Sequence, residues 1–444
     1  MNLYYEVYGC EMNKSQAYSL QRYLEKNNHI SVNNIKLADI ILIFTCSVRY
    51  TAEQRAIGRL HYFKYLKKEK PFLKVIILGC LSEQENKFFI EKKLADLVIG
   101  TINHHYVLEY LNSLENEKEK TKYDDYDRHI DYEKYFNLTT SSNNKIEFLN
   151  SYVDPKLPYK SFVTIIHGCS NYCSYCIVPY LRGKEVSRKK QEIIEDIENL
   201  AKNGVKEIVL LGQNVNAYGK DNNEYSFSEL LTDISKIEGI ELISFLSSHP
   251  KDFSDDLIEV VSSNPKVSKM VHLPLQSGSN KILQMMNRKY DIEKYLSIVE
   301  KLKNKNSDIQ FSTDIIVGFP DETEDDFQNT LNIVKKVEYL DIFTYRYSQR
   351  KLKIIKYMDN ISEEVKLDRL SRLIELKDQI GKEIRLKQIG KIKKAIIVDS
   401  SKLDENKKLF KTFDGFFGVI ESDYKKGTIF EVSIKGISGN TLTA

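Results

Sequence analysis

The sequence predicts an α/β chain in three parts: an N-terminal parallel α/β domain, a central partial (βα)6 barrel and a small C-terminal antiparallel β-barrel. Three observations carry this. Of three apolar runs near the N-terminus those at Ile40 and Val75 are continuous rather than alternating, and the intervals between the three are long enough for crossover helices. Strand-like runs then recur six times with helical segments between them, and after Gly390 short strands bounded by Gly, Asp and Ser take over. At 444 residues the chain also exceeds what one core usually serves.

In the N-terminal part, Leu3–Gly9, Ile40–Thr45 and Val75–Gly79 each end directly before a cysteine: Cys10, Cys46 and Cys80. As buried parallel strands they would share one C-terminal edge, where open parallel sheets hold ligands. A small core residue is an ordinary explanation for one free cysteine. Three repeats of the pattern weigh against it.

From about Leu114 to Asn144 the composition turns to Glu, Lys, Asp, Tyr and Asn, as in a linker. The division is therefore 1–113, a charged linker 114–147, a barrel with a C-terminal helix over 148–388, and a tail domain 389–444. The barrel strands are predicted at Phe162–Ile166, Ile208–Leu211, Leu242–Leu246, Val271–Leu273, Ile309–Ile316 and Ile342–Tyr347, with helical stretches such as Gln191–Lys202 between them. The stretch is short for eight units, which favours an incomplete barrel. Ser362–Gln388 spaces Leu370, Leu373, Ile374, Ile380 and Ile384 along one helix face. The tail reads as strands at Lys394–Val398, Leu409–Phe413, Phe416–Ile420, Ile429–Ile434 and Thr441–Thr443, and its slight basic excess suits RNA phosphates or a solvated surface equally.

Charge does not decide the function class, since 66 Lys and Arg face 63 Asp and Glu. No basic leader and no apolar run of about 18 residues occurs, so a cytoplasmic protein is expected. Six cysteines are too few for a disulfide framework and would stay reduced there, available to metal.

The most specific signal is His167-Gly168-Cys169-Ser170-Asn171-Tyr172-Cys173-Ser174-Tyr175-Cys176, with spacing C-x3-C-x2-C directly after the first barrel strand. Three thiolates in one loop suit a four-iron cluster and leave one iron open to a cofactor. A zinc site completed by His167 is the alternative, though structural zinc usually pairs two separate knuckles.

These residues resemble the signature of radical S-adenosylmethionine enzymes, and the three-cysteine domain ahead of them resembles the methylthiotransferase branch. Gly9-Cys10-Glu11-Met12-Asn13, Thr45-Cys46-Ser47-Val48-Arg49 with Ala52-Glu53 and Gly58-Arg59-Leu60, and Leu78-Gly79-Cys80 are similar to that branch's first domain, and the tail to its RNA-binding TRAM barrel. Ile177-Val178-Pro179-Tyr180, Arg182-Gly183-Lys184-Glu185-Val186-Ser187-Arg188 and Leu210-Leu211-Gly212-Gln213-Asn214-Val215-Asn216-Ala217-Tyr218 resemble the MiaB type. Two segments depart from the pattern: Glu11 stands where Gln is usual, and Tyr347-Ser348-Gln349-Arg350-Lys351-Leu352 replaces an Arg-Pro-Gly-Thr stretch.

The resemblance implies methylthiolation of C2 of N6-isopentenyladenosine at position 37 of tRNA. The sister substrates are threonylcarbamoyladenosine in tRNA and a ribosomal protein. It implies two [4Fe-4S] clusters, a radical cluster on Cys169, Cys173 and Cys176 and an auxiliary one on Cys10, Cys46 and Cys80. S-adenosylmethionine would be cleaved at the first cluster to a radical that removes hydrogen from C2, and sulfur would be delivered from the second. Gln213, Ser248, Gln276 and Asp314 at barrel strand ends are candidates to touch S-adenosylmethionine, with a backbone-capping role competing for each. Arg182, Lys184, Arg188, Lys189 and Lys190 are expected to steer the phosphates of the tRNA anticodon stem-loop, or else to form a solvated helix start. The target base must leave its stack, so aromatic residues are expected around it. A flavodoxin- or ferredoxin-like electron donor and a monomer complete the expectation.

Overall fold

The computed structural model describes residues 1–47, 50–120, 146–349, 357–401, 404 and 406–444. Val48 and Arg49, most of the composition-assigned linker, and the Arg350-Lys351-Leu352 departure lie outside the described residues. The chain divides into two compact units. One is Met1–Tyr152 with His167–Ser170 and Ile177–Arg188; the other is Val153–Ile166, Asn171–Cys176 and Lys189–Ala444.

In the first unit five parallel strands lie in the order Ile30–Ser31, Asn2–Val7, Ile40–Thr45, Lys74–Gly79, Leu97–Ile99. Ile40–Thr45 is buried at every position because both faces are covered. Leu42 and Phe44 pack with Leu20, Leu24 and Leu111 on one side, and Ile41 and Ile43 with Ala56, Leu60 and Phe63 on the other. This is why the run reads as continuous rather than alternating. The strand order reverses between Asn2–Val7 and Ile40–Thr45, the kind of point at which doubly wound sheets take ligands. Val7 stands opposite Phe44 and Thr45 opposite Gly79, so the three cysteine-bearing strands end in register.

Helix Tyr106–Lys120 corrects the start of the linker, which composition placed at Leu114. Val107, Tyr110, Leu111 and Leu114 recur at helical spacing and are buried, and the Glu- and Lys-rich turns that follow are good helix formers.

In the second unit six parallel strands follow one another: Lys160–Thr164, Glu207–Leu211, Leu242–Phe245, Met270–His272, Gln310–Val317 and Asp341–Arg346. They form two three-stranded sheets, with the isolated bridge Ile243–Val267 at the break between third and fourth strands. Helix Glu363–Leu386, capped by the Ser362 hydroxyl accepting from Val365 N at 3.3 Å, buries Leu373, Ile380 and Ile384.

The C-terminal sheet has six strands, ordered Ile429–Ser433, Ile392–Ser400, Lys407–Thr412, Phe417–Glu421, Thr441–Thr443, Gly436–Ser438, and only the Phe417–Glu421 pairing with Thr441–Thr443 is parallel. It docks where the barrel strands begin. Lys411 reaches the fully buried Glu207 at 3.0 Å, Lys394 reaches Glu241 at 3.1 Å, and Lys269 N donates to the Phe413 carbonyl at 3.0 Å. Two lysines counted in the tail's basic excess therefore serve internal docking.

Candidate active site

Each of Cys10, Cys46 and Cys80 follows a strand of the first sheet by no more than a short turn, and glycine is what lets those turns close. Gly9, at φ +115°, comes so near the next loop that a Cβ on it would stand 2.5 Å from Cys46 Cβ and 3.0 Å from Cys46 Sγ. Gly79, at φ +101°, lies equally close to the Thr45 carbonyl. Asn13 ties the first two turns together, donating from Nδ2 to the carbonyls of Tyr8 at 2.9 Å and Thr45 at 2.7 Å. The Thr45 hydroxyl donates to the Leu78 carbonyl at 2.8 Å, joining the second strand end to the third. Cys46 and Cys80 are buried and Cys10 half-buried. The departure at Glu11 faces away from this: its carboxylate pairs with Lys14 at 2.7 Å and is 40% exposed.

Arg182 belongs to the same place and not to the surface. It ends the short helix Val178–Arg182 and is only 3% exposed. Burial opposes its charge, and the thiols of Cys80, Cys10 and Cys46 more than offset that and hold it protonated. Its Nη1 lies 3.5 Å from His167 Nδ1, and His167 Nε2 lies 3.5 Å from Thr101 Oγ1. Both His167 nitrogens thus face other groups, and burial with the neighbouring guanidinium keeps the ring well below its ordinary pKa. His167 is not free to complete a zinc site. Among the described residues no three His, Cys, Asp or Glu side chains gather as ligands of a single ion.

The C-x3-C-x2-C loop spans both units and is described in each. In the first, Cys169 N donates to the Gly183 carbonyl at 3.0 Å, and Gly168, at φ +82°, passes against the backbone of Gly183 and Lys184. In the second, Cys176 N donates to the Cys173 carbonyl at 2.9 Å. Arg288, which no sequence rule singled out, is buried there. Its Nη1 lies 3.4 Å from Cys173 Sγ and 3.5 Å from the Tyr175 hydroxyl, and its Nη2 donates to the Pro274 carbonyl at 3.2 Å. Burial pushes the Tyr175 phenol well up, so it stays a neutral donor. A lone arginine between turn residues carries no periodicity or spacing by which to find it.

The four residues proposed from barrel strand ends do not fare alike. Ser248 is buried and its hydroxyl donates to the His272 carbonyl across the break between sheets, the capping role that competed with cofactor contact. Gln276 sits at φ +68°, held by Gln276 N to the Asp314 carbonyl at 2.8 Å and Ile316 N to its own carbonyl at 3.0 Å. A strained, locked, non-glycine strand end is the kind found at functional sites. Asp314 is half-buried, with His272 Nε2 3.3 Å from its carboxylate, and Gln213 is half-buried too. On the last barrel strand Phe343 and Tyr345 share one face and are 47% and 42% exposed, and Phe343 stands edge-on to His272 at 5.8 Å.

Of the five cations proposed to steer phosphates, Arg182 and Arg188 are buried and are corrected: an enclosed charge contributes little to attraction from solvent. Arg188 donates to Asn150 Oδ1 at 3.1 Å. Lys184 and Lys189 are exposed, while Lys190 pairs with Asp233 at 2.8 Å and lies 3.8 Å over the Tyr225 ring.

A six-strand parallel barrel with a C-x3-C-x2-C loop after its first strand defines a radical S-adenosylmethionine enzyme, and the family model described as Radical SAM superfamily matches residues 163–334. A second model, described as uncharacterized protein family UPF0004, matches residues 2–100. The tRNA-2-methylthio-N(6)-dimethylallyladenosine synthase of Clostridium botulinum (strain Hall) is 41% identical over 99% of this chain and 95% of its own. That of Thermoanaerobacter pseudethanolicus is 43% identical over 91% and 84%. The chain belongs to this family, the MiaB-type methylthiotransferases. Among solved structures, the radical S-adenosylmethionine methyltransferase TsrM from Kitasatospora setae aligns at TM-score 0.53 and 11% identity, covering 78% of this chain and 74% of its own, which bears on the fold alone. Among the described residues no helix is long and apolar enough to cross a membrane.

Proposed function

We propose that this chain adds a methylthio group to C2 of N6-dimethylallyladenosine, that is N6-isopentenyladenosine, at position 37 of tRNA. The observation that carries the reading is 41% identity over nearly the whole chain to synthases of that name, in a sequence that holds both cysteine trios. The C2–H bond has no acidic proton, so side-chain acid–base chemistry has no purchase on it. Iron–sulfur clusters and S-adenosylmethionine, when bound, supply the one-electron chemistry such a bond needs.

The donor sets fit that equipment. Cys169, Cys173 and Cys176 would hold the radical cluster, and Cys10, Cys46 and Cys80 the auxiliary one, for which thiols at register-matched strand ends beside a buried cation are suitable ligands. Arg288, donating to the Pro274 carbonyl and lying against Cys173 Sγ, would position that ligand. Gln213, Gln276 and Asp314 would orient S-adenosylmethionine, and Ser248 would shape the strand end without touching it. Lys184 and Lys189 would meet phosphates of the anticodon stem-loop, and Phe343 and Tyr345 offer aromatic surface to an unstacked base. The division at 147 and 388, with the first boundary moved past helix Tyr106–Lys120, a cytoplasmic location, a monomer and a flavodoxin- or ferredoxin-like donor belong to the same reading.

Nucleoside mass spectrometry of tRNA from a deletion strain tests it. Loss of 2-methylthio-N6-dimethylallyladenosine, with its unmethylthiolated precursor accumulating and the product restored by the plasmid-borne gene, is the expected result. An unchanged nucleoside profile would overturn it.

A further inference from the structure

Arg182 is a buried guanidinium with no carboxylate at ion-pair distance among the described residues. Removing such a cation from water is strongly unfavourable unless an anion lies beside it. The short helix that Arg182 ends, Val178–Arg182, packs against the helix Cys80–Gln84 that begins at Cys80, and the turns carrying Cys10 and Cys46 close on the same sheet edge. Arg182 Nη2 has no hydrogen-bond partner, so a donor is left over inside the enclosure. Its placement is fixed from the same sheet edge, since the Thr101 hydroxyl, just after the strand Leu97–Ile99, donates to the Leu181 carbonyl at 3.4 Å. Gly183, at φ +72°, turns the chain away directly after it.

We propose that Arg182 is a positioning residue that serves as the built-in counter-charge of the auxiliary cluster, its guanidinium stabilising the anionic cluster held by Cys10, Cys46 and Cys80 and raising its affinity for an electron. A cluster held by three thiolates is an anion, and adding an electron makes it more so. A fixed cation therefore favours the reduced form and strengthens thiolate ligation. Net charge and hydrogen bonds to sulfur are among the protein's main controls over such potentials. The proposal rests on the reading that this trio binds a cluster.

The test uses the full-length chain with Cys169, Cys173 and Cys176 changed to Ala, so that any cluster is the auxiliary one. R182Q, R182M and R182K are made in that background and reconstituted anaerobically, and iron content, circular dichroism and an EPR-monitored redox titration are recorded. The expected result is that loaded R182Q and R182M bind the electron at least tenfold more weakly, about 59 mV for a one-electron couple, while R182K stays within threefold of its parent. Iron loss from both neutral variants at unchanged dichroism, with R182K fully loaded, also supports the counter-charge. Neutral variants that load fully and hold the parent's midpoint within threefold overturn it. Should both neutral variants fail to fold, R182K decides: a midpoint beyond threefold of the parent's overturns the charge role. A parent background that binds no iron overturns the cluster reading itself and is told apart from failure at Arg182 alone.

Discussion

The two cysteine trios are built by opposite means. Cys169, Cys173 and Cys176 lie within eight residues of one chain segment, so their proximity is set by local spacing. Cys10, Cys46 and Cys80 come from three strands, and register, Gly9, Gly79, the Asn13 bridge and the Thr45 hydroxyl bring their turns to one edge. Damage away from the cysteines should therefore reach the dispersed trio first and leave the local one standing.

The largest effects come from removing a ligand. Cys173→Ala and Cys46→Ala are each expected to abolish methylthiolation, and each to lower iron by about half, because a cluster held by three thiolates has no spare protein ligand. Iron and sulfide analysis after anaerobic reconstitution, with tRNA nucleoside analysis beside it, reads both. If Cys46→Ala kept all its iron, the two trios would not be separate sites.

An intermediate effect separates the two modes of construction. Gly9→Ala places a Cβ against Cys46 in a backbone conformation that side chains resist, at a cost of about 1–3 kcal/mol. It should deplete the auxiliary site while the C-x3-C-x2-C loop loads normally. Gly204→Ala, at φ +87° with open space around its Cβ, carries backbone strain alone and should leave both sites loaded. Denaturant unfolding and iron content compare the two. Equal iron loss in both variants would mean that stability at large, not the approach of two loops, controls the auxiliary site.

The same contrast explains what was legible in the sequence. The local loop could be read directly, and so could the dispersed trio, because Cys46 and Cys80 end continuous apolar runs buried on both faces and Cys10 repeats the pattern at the end of a less buried strand. The six barrel strands were legible as short apolar runs recurring between helical segments, although only Glu207–Leu211 is buried at every position. The break between the third and fourth was not, because it depends on where the C-terminal sheet inserts Phe413 and on the bridge at Val267. Helix Tyr106–Lys120 was hidden by a charged composition that masked its buried positions. Arg182 and Arg288 were the hardest. Arginine in a polar stretch reads as surface, and only the fold shows that both are enclosed beside cysteines. At Ser248 a strand-end hydroxyl serves ligand and backbone equally well, and only its bond to the His272 carbonyl shows the backbone part of that pair.

The smallest effect bears on the barrel side. Asp326 closes a capping box with Thr323 at the start of helix Glu324–Val337 and accepts from Ser279 Oγ at 2.6 Å and Lys281 Nζ at 2.9 Å. It thereby anchors the loop that runs from Gln276. Burial alone would raise this carboxyl, but the hydrogen bonds from Ser279, Thr323 and Lys281 hold it well below the usual range. A carboxyl depressed in the folded state contributes stability above its unfolded pKa of about 3.9 and loses it as pH falls through the folded value. Asp326→Asn should therefore cost about 1–2 kcal/mol near neutral pH, with the gap from the parent narrowing as pH falls below about 4. Paired urea titrations across that range measure it. Because the anchor holds a loop and no cysteine, both clusters should still load in the variant. Loss of iron from Cys173 and Cys176 alone would show that the local trio, too, leans on distant contacts.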